Sequence, residues 1–247
     1  MLSNDRFNMK EPIRLSKRLI ELLRCSRSEA ERYIEGGWVV VDGEIIDQPQ
    51  FKVLNQTVEL HPEATLAPCP PVTILFHQAD AFDVDNPAAA LPLITPESHA
   101  ADDKSGIRIL KRHFARLKPT AALEVGATGL VVFSQDGRVV RRLVEDANKN
   151  EQEYLVEVSG EIAADGLTRL NRPMKQNGWK LPDAKVSWQN EVRLRFALKN
   201  VRPGQIEFMC QSVGLKVEAM KRLRIGRVSL AKLPSGQWRY LPSGMLF

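Results

Sequence analysis

The sequence predicts an α+β fold in two domains, and three features of the 247-residue chain support this prediction. Residues 1–60 place two helical patterns before a short apolar strand and a hairpin turn, as in a small α+β domain. Residues 61–73 contain four prolines and little periodicity, which is typical of a semi-rigid linker. Residues 74–247 mix short alternating strands with few helices, so we expect a mixed, mostly antiparallel sheet there.

The small domain shows the start and stop signals of each element. Its first helix has apolar residues at helical spacing, and its second helix begins with a Ser-x-x-Glu capping box and stops at two glycines. The expected elements are a helix over 15–23, a helix from Ser26 to Gly36-Gly37, a strand over 38–41 and a hairpin turn at Asp42-Gly43.

The larger domain is predicted from alternation and breaker residues. We expect strands at 130–133, 154–158, 185–188 and 192–196, a helix after Asp136-Gly137, and a helix over 205–213 that ends at Gly214. Residues 83–106 are rich in Pro, Ala and Asp, and this composition indicates an irregular loop.

Composition narrows the class of protein. A net charge of +5 weakly favours a polyanionic partner. The three cysteines and four histidines show no metal-ligand spacing, so we expect no metal, no other cofactor and no disulfide framework. The first residues lack the apolar region of a signal peptide, and no apolar run approaches the roughly 18 residues that span a bilayer. We therefore expect a cytoplasmic monomer without a membrane partner.

Two basic clusters are candidates for phosphate contact. Acids are interspersed in the first, so a solvated, charge-balanced helix surface is its alternative interpretation. The second contains Glu218 as its one acid and is the stronger signal, although its Trp238 and Tyr240 fit a core role better. The basic residues are Arg14, Lys17, Arg18, Arg24, Arg27 and Arg32 in the first cluster, and Lys216, Lys221, Arg222, Arg224, Arg227, Lys232 and Arg239 in the second.

Residues 12–60 resemble the α-L RNA-binding domain that is shared with a small-subunit ribosomal protein. The matching segments are Arg14–Leu19, Ser26–Glu31, Ile34–Gly37 and Val41–Gly43. The usual Asn-Gly turn is Asp-Gly here, a change that the turn tolerates. The resemblance implies RNA contacts from the basic cluster of the two helices and from Ser26.

Three further segments resemble motifs of bacterial rRNA pseudouridine synthases. Residues 121–137 are similar to G-R-L-D-x-x-T-x-G-L-x-x-x-T-x-D-G, 153–158 to K-x-Y-x-V and 202–210 to G-x-N-R-Q-I-R-R-M-C. With the small domain, the resemblance covers about residues 12–242. It implies an RNA uridine isomerase that flips its nucleotide out of the helix. In that family an Asp is catalytic, a Tyr lies against the target base and a basic residue pairs with the Asp.

In this sequence the three positions are Glu124, Tyr154 and Glu207. The longer Glu124 side chain moves the carboxylate by more than about 1 Å, and such a displacement can cost on the order of 100-fold in rate. Glu207 in place of the basic partner would bring two carboxylates together, which raises a carboxylate pKa. The neighbouring departures are Ala122 and Gly204 in place of arginines, and His77-Gln78-Ala79 in place of Asn-Lys-Pro.

These departures leave several interpretations open. Glu124 and Glu207 could be ordinary solvated acids, parts of a cleft that holds a cation or an RNA amine, or residues of altered catalysis. We expect both carboxylates to share one cleft with Tyr154, and Thr128 and Gly129 to shape a turn beside it. For the whole chain we expect a catalytically impaired RNA-binding protein that acts on structured RNA such as rRNA or ribosome precursors. The alternatives are an active RNA uridine isomerase and a protein-binding module.

Overall fold

The computed structural model describes residues 11–79, 86 and 88–247. The chain divides into two compact units, which are considered separately. The smaller unit comprises residues up to Pro70 together with Arg108–Ala115, and the larger unit comprises Pro71–Ile107 and Arg116–Phe247. The sequence predicted residues 108–115 to lie in the larger domain, because nothing in their composition sets them apart from their neighbours in the chain.

The described part of the smaller unit contains two α-helices, five short strands and a 3₁₀ helix at Lys111–Phe114. Its elements are β1 (Ile13–Arg14), α1 (Leu15–Leu23), α2 (Arg27–Glu35), β2 (Val39–Val41), β3 (Glu44–Ile45), β4 (Lys52–Val53) and β5 (Val58–Leu60). The predicted capping box is confirmed, since Ser26 Oγ accepts the N–H of Glu29 at 3.2 Å and the Glu29 carboxylate accepts the N–H of Ser26 at 2.7 Å. Asp42 and Gly43 both have positive φ, as the tight β2–β3 hairpin requires.

One apolar face of each helix forms the core of the smaller unit. Leu15 and Leu19 lie four residues apart on α1, and Ala30 and Ile34 lie four apart on α2, so each pair projects from one side of its helix. Strand residues including Val39 complete this core. The opposite face of α1 carries exposed polar side chains.

A nine-stranded sheet dominates the larger unit. The strands of this unit are β6 (Thr73–Gln78), β7 (Lys118–Pro119), β8 (Ala127–Ser134), β9 (Glu151–Ser159), β10 (Lys175–Gln176), β11 (Trp179–Lys180), β12 (Ala184–Asn190), β13 (Arg193–Lys199), β14 (Lys216–Ile225), β15 (Val228–Ser229) and β16 (Trp238–Tyr240). The sheet order is β12-β13-β9-β14-β8-β6-β16, with β15 on β14 and β7 on β8, while β10 and β11 form a separate hairpin. Every pair is antiparallel except β14–β8.

Three α-helices accompany the sheet, namely α3 (Gly137–Val144), α4 (Gly166–Leu170) and α5 (Gln205–Gln211). The predicted helices at 137 and 205 are therefore confirmed, and Asp136 caps α3 by accepting the N–H of Arg138 at 2.8 Å. Residues 88–106 contain two short 3₁₀ turns. Residues 83–85 and 87 of the predicted loop lie outside the described part of the chain.

The α+β prediction is confirmed, and one local expectation is wrong. Thr128 and Gly129 lie inside β8 and do not form a turn. Gly129 has a φ of 105°, and a Cβ there would approach the backbone oxygen of Arg222 to 2.4 Å. Glycine is thus required where β14 runs parallel to β8 at close range. Trp238 and Tyr240 are fully buried, in agreement with their predicted core role.

Candidate functional site

Glu124 lies just before β8 and is buried, with 2% of its surface exposed. Its Oε1 accepts the backbone N–H of Ile206, at the start of α5, at 3.0 Å. The first N–H groups of a helix have no partner within the helix, and they favour a negative charge. Gly204, the residue before α5, has a φ of 76° that suits glycine. Glu124 therefore serves as the acceptor for the amino end of α5.

Burial raises the pKa of Glu124 from 4.5 to about 7. The rise is opposed by the backbone N–H groups that face the carboxylate, those of Ile206, Gly204, Gln205 and Val125. Desolvation disfavours the charged carboxylate, and amide donors recover part of the cost. The expected rise is present, but burial causes it and repulsion by Glu207 does not.

Arg222 of β14 is the buried cation nearest in structure to the Glu124 segment. It is fully buried, and its guanidinium holds the loop before Glu124 by donating to two carbonyl oxygens, Ala121 O at 2.9 Å and Ala122 O at 2.7 Å. Its other acceptors are Leu130 O at 2.8 Å, Gln152 Oε1 at 3.0 Å and Tyr154 Oη at 3.5 Å. All three nitrogen atoms of the guanidinium thus donate hydrogen bonds within the protein. The prediction that Arg222 contacts RNA is therefore corrected: it is a structural residue of the core.

Glu124 has no cationic partner at ion-pair distance within the described ranges. Arg222 acts on it indirectly, because it fixes the carbonyl groups of the two preceding residues. The family arrangement expects a carboxylate held ionised by a cation. Here backbone dipoles take the place of that cation, and the carboxyl group is half-ionised near neutral pH.

Tyr154 is also fully buried, and its hydroxyl donates to Gln152 Oε1 at 3.1 Å. Burial raises the pKa of Tyr154, which keeps the phenol neutral. Its ring fills the core on the same face of the sheet as Arg222, its cross-strand neighbour on β14. The expectation that Tyr154 stacks on a base does not fit this conformation; the alternative core role does.

Glu207 is exposed in the first turn of α5, where Gln211 Nε2 donates to its Oε1 at 3.1 Å. Glu124 is buried behind the end of the same helix. The backbone brings the two residues to one end of α5, but one carboxyl group is buried and the other is in solvent. Tyr154 lies close enough to Glu124 to interact with it, as expected. The expected pair of facing carboxylates is corrected, because Glu207 is in solvent.

His77 and Gln78, which replace polar family residues, are buried at the end of β6. His77 Nδ1 donates to Leu233 O at 2.7 Å, and its Nε2 has no hydrogen-bond partner in the described part of the molecule. Burial lowers the pKa of His77, and the charge of Lys221 lowers it further. The imidazole is therefore neutral at physiological pH and supplies no cation to the site.

The first basic cluster lies on the surface of the smaller unit. Arg14 and Lys17 are exposed and form no ion pair with a residue in the described ranges. Strand pairing places Arg14 directly opposite Lys52, an exposed basic residue that sequence reasoning missed. Like charges in this position repel each other, so the surface is poised for an anion. The remaining predicted residues of this surface, with their environments, are Arg18 (half-buried), Arg24 (exposed, at the end of α1), Arg27 (paired with Glu31 at 2.8 Å), Arg32 (exposed) and Ser26 (the N-cap of α2).

Two of the seven basic residues of the second cluster form ion pairs with glutamates of the sheet. Arg224 pairs with Glu151 at 2.7 Å and with Glu153 at 2.9 Å, both on β9. Lys216 pairs with Glu218 at 3.0 Å. Lys221 is half-buried and forms no ion pair within the ranges described. Arg227 and Lys232 are exposed, so only part of the positive charge that the sequence predicted remains available at the surface.

The described residues offer neither a metal-binding cluster nor a membrane-spanning helix. Among the described residues, no group of three or more His, Cys, Asp and Glu side chains could hold a metal ion. No helix in the described ranges is long and apolar enough to cross a membrane.

Known proteins resemble this chain over nearly its whole length. Residues 13–56 match the S4 domain family. The chain is 30% identical over 240 residues to ribosomal small subunit pseudouridine synthase A of Vibrio parahaemolyticus, covering 93% of this chain and 96% of the relative. It is 28% identical to the dual-specificity RNA pseudouridine synthase RluF of Escherichia coli, covering 93% and 75%.

The fold comparison agrees. A crystal structure of a pseudouridylate synthase superposes with a TM-score of 0.57 at 20% identity, covering 93% of this chain and 96% of that one. The fold is thus that of an S4 domain followed by a pseudouridine synthase domain. The chain belongs to the RNA pseudouridine synthase family.

Sequence reasoning missed the role of Arg222, although a signal was present. Met220 and Arg222 are two residues apart on β14 and both face the core, while Lys221 faces the other side. A basic residue at an inward position of a strand is paired or hydrogen-bonded, because a buried free charge is costly. The basic residues of 216–239 were counted together, without regard to the alternation of a strand, and so the inward position of Arg222 was missed.

Proposed function

We propose that this chain is an RNA-binding member of its family whose catalytic site is impaired. The observation that carries the proposal is the environment of Glu124: its carboxyl group is buried, it accepts the N–H of Ile206, and it has no ion-pair partner in the described ranges. The shorter Asp of the family would project less far from the same backbone. The extra methylene lets Glu124 reach the end of α5 and act as its cap.

Uridine isomerisation needs an ionised carboxylate held against a flipped nucleotide. Two features of Glu124 oppose that requirement. Its pKa of about 7 leaves the group half-protonated at neutral pH, and its engagement with α5 directs it away from solvent. Moving it toward a nucleotide would leave helix N–H groups without an acceptor, which costs roughly 1–3 kcal/mol per buried group.

The RNA-binding half of the proposal rests on the smaller unit. Its S4 match covers both helices, and Arg14, Lys17 and Lys52 present positive charge without acidic partners in the described ranges. The relatives' names support structured RNA, in particular small-subunit rRNA, as the partner. A protein with these parts would bind rRNA or a ribosome precursor and leave uridine unchanged.

A second candidate is an active RNA uridine isomerase. The names of the relatives favour it, because they are synthases that match nearly the whole chain. A carboxyl group with a pKa of about 7 also exists in both protonation states near neutrality, as a general acid–base residue would. In this reading Glu124 leaves α5 when RNA binds.

The deciding experiment incubates the full chain with unmodified rRNA and maps pseudouridine at nucleotide resolution. An active family member serves as the positive control, and a gel-shift assay on the same samples confirms that RNA is bound. We expect no site-specific conversion by wild type. Glu124→Asp combined with Glu207→Arg and Ala122→Arg should move the site toward activity, whereas Glu207→Arg alone should not. Stoichiometric modification by wild type would establish the second candidate.

A further inference from the structure

An exposed tryptophan occupies the tip of the β10–β11 hairpin in the larger unit. Trp179 is 72% exposed and is the most exposed aromatic side chain among the described residues. Two residues, Asn177 and Gly178, form the turn, with φ values of 52° and 81°. Both being positive, the turn is of the tight type that keeps a two-residue hairpin in fixed register. Gln176 pairs directly with Trp179 across the hairpin.

The hairpin has a fixed base. Leu181 is buried and donates its N–H to Met174 O at 2.9 Å. Further back, the Asn171 side chain donates to Val186 O and accepts the N–H of Val186, both at 2.9 Å. A large indole ring is thus held out in solvent on an ordered support. Because the exposed indole is not used in packing, its face is available to a ligand.

The charges around the ring are positive. Lys175 lies directly opposite Lys180 in the hairpin, and Arg172 is exposed just before it. Within the described ranges, the one acidic side chain that pairs with these cations is Asp183, which is 3.5 Å from Lys180. Opposed lysines destabilise a hairpin in isolation, and an anion between them relieves the repulsion. Clustered lysines are rare at the centres of protein–protein interfaces, so a polyanion is a better partner for this hairpin than a protein.

The hairpin is also joined to the end of α5 that Glu124 caps. Gln205, the first residue of α5, is fully buried and donates its Nε2 to Pro182 O at 2.9 Å. The backbone N–H of the same residue faces the Glu124 carboxylate. The chain leaving the hairpin and the Glu124 segment therefore converge on one helix terminus.

We propose that Trp179 is a stacking site for an unpaired nucleobase of the bound RNA, and that Arg172, Lys175 and Lys180 hold the phosphates on either side of that base. An aromatic face takes any base without reading its edges, while the cations follow the backbone. This inference rests on the proposed RNA-binding function and names a contact within it. It assigns the hairpin to single-stranded or looped nucleotides, because a base in a duplex has no free face.

The test measures affinity of the full chain for a 12-nucleotide oligoadenylate, for a 12-base-pair RNA duplex and for an oligoadenylate with abasic central positions. Trp179→Ala should weaken oligoadenylate binding by about fivefold to 150-fold, which is the range that one base–aromatic stack contributes. Trp179→Phe should retain binding to within about fivefold, because a phenyl ring still stacks. Val192→Ala, an exposed apolar change on another hairpin, is the matched control and should have no effect.

Two further readouts locate the contact. Oligoadenylate should quench part of the tryptophan fluorescence of wild type, and that part should be missing in Trp179→Phe. Lys175→Gln with Lys180→Gln should lower the slope of log affinity against log salt by about 1.4, since each single-strand phosphate contact contributes about 0.7. Trp179→Ala removes no charge and should leave that slope unchanged.

The outcomes separate this inference from the function on which it rests. If wild type binds RNA and Trp179→Ala binds equally well, the stacking site is refuted and RNA binding stands. Equal loss in Trp179→Phe and Trp179→Ala, or indifference to the abasic substitution, would assign the indole to a non-base contact such as a protein. If wild type binds rRNA but none of the three probes, the stacking site is refuted and RNA binding stands; if it binds neither rRNA nor the probes, both fall.

Discussion

The chain contains two segments rich in arginine and lysine, and the fold treats them in opposite ways. In the smaller unit, Arg14 and Lys17 extend into solvent without an acidic partner in the described ranges. On β14, Arg222 is buried and Arg224 is paired with two glutamates of β9. On a helix, the charge of one face can be read from the sequence; in a central strand, the neighbouring strands decide whether a charge is available. Composition alone therefore overestimates the second cluster.

The largest effect on stability is expected from a change at Arg222, the buried arginine of β14. Arg222→Met keeps the apolar stem of the side chain but removes the guanidinium donors to three backbone carbonyl oxygens, among them Ala122 O and Leu130 O. We expect a loss of about 3–5 kcal/mol in unfolding free energy. Urea denaturation measures it, with Lys221→Met as the control, which should change stability by about 0.5 kcal/mol. Equal midpoints for the two variants would place Arg222 outside the core.

Glu124 and Glu207 extend the comparison to acids. The folded-state pKa of Glu124 is about 7, above its ordinary 4.5, so the fold favours the protonated form. The protonated carboxyl group therefore stabilises the folded state fully below about pH 4.5, and this stabilisation is lost as the pH rises through 7. Glu124→Gln should therefore gain stability relative to wild type between pH 5 and pH 8, by on the order of 3 kcal/mol at most.

Urea denaturation at both pH values tests this expectation. Burial lowers the pKa of His113 to about 4, so this histidine also makes stability depend on pH. Its effect is the same in variant and wild type and cancels when their unfolding free energies are subtracted. Glu207→Gln, a change of the same kind at an exposed position, is the matched control. Parallel pH curves for wild type and Glu124→Gln would mean that the carboxyl group is solvated.

Charge changes at Arg14, just before α1, and at Lys17, within α1, extend the comparison to RNA binding. Arg14→Glu with Lys17→Glu should weaken binding to structured rRNA about tenfold or more at 0.1 M salt, and should lower the log–log salt slope by about 1.4–1.8. Filter binding across a salt series measures both. Circular dichroism should show an unchanged fold, since both side chains are exposed. An unaltered slope would exclude these residues as phosphate contacts.

The smallest effects are expected on β14. Arg224→Gln should leave the salt slope unchanged, because two glutamates already offset the charge of Arg224. Lys221→Gln should lower the slope by about 0.7–0.9 if Lys221 reaches a phosphate. A large effect of Arg224→Gln would show that RNA displaces Glu151 and Glu153 from their ion pairs.

Much of the fold could be predicted, because the signals are local. The capping box at Ser26, the Asp42-Gly43 turn and the helix after Asp136 each depend on a few adjacent residues, and each appears as expected. The alternation of β9, β12 and β13 likewise predicted strands, with ends shifted by a few residues.

The site was harder to predict because its relations are distant in sequence. Motif spacing correctly indicated that Glu124 and the start of α5 meet, since Ile206 donates to Glu124. It could not reveal that Glu207, one residue further, faces solvent while Glu124 is buried. Side-chain direction at the end of a short helix depends on packing across some 80 residues of chain, which a motif does not encode.

The position of β14 has a consequence for how the molecule assembles during synthesis. This strand lies between β8 and β9, both of which are made far earlier, and it pairs with β8 across more than ninety residues of chain. Until residue 225 leaves the ribosome, β6–β8 and β9–β13 are two separate half-sheets with unpaired central edges. Such long-range closure is slow, and open edges invite aggregation. The strand that completes the sheet also delivers the arginine that holds the Glu124 loop, so this site is among the last parts of the chain to form.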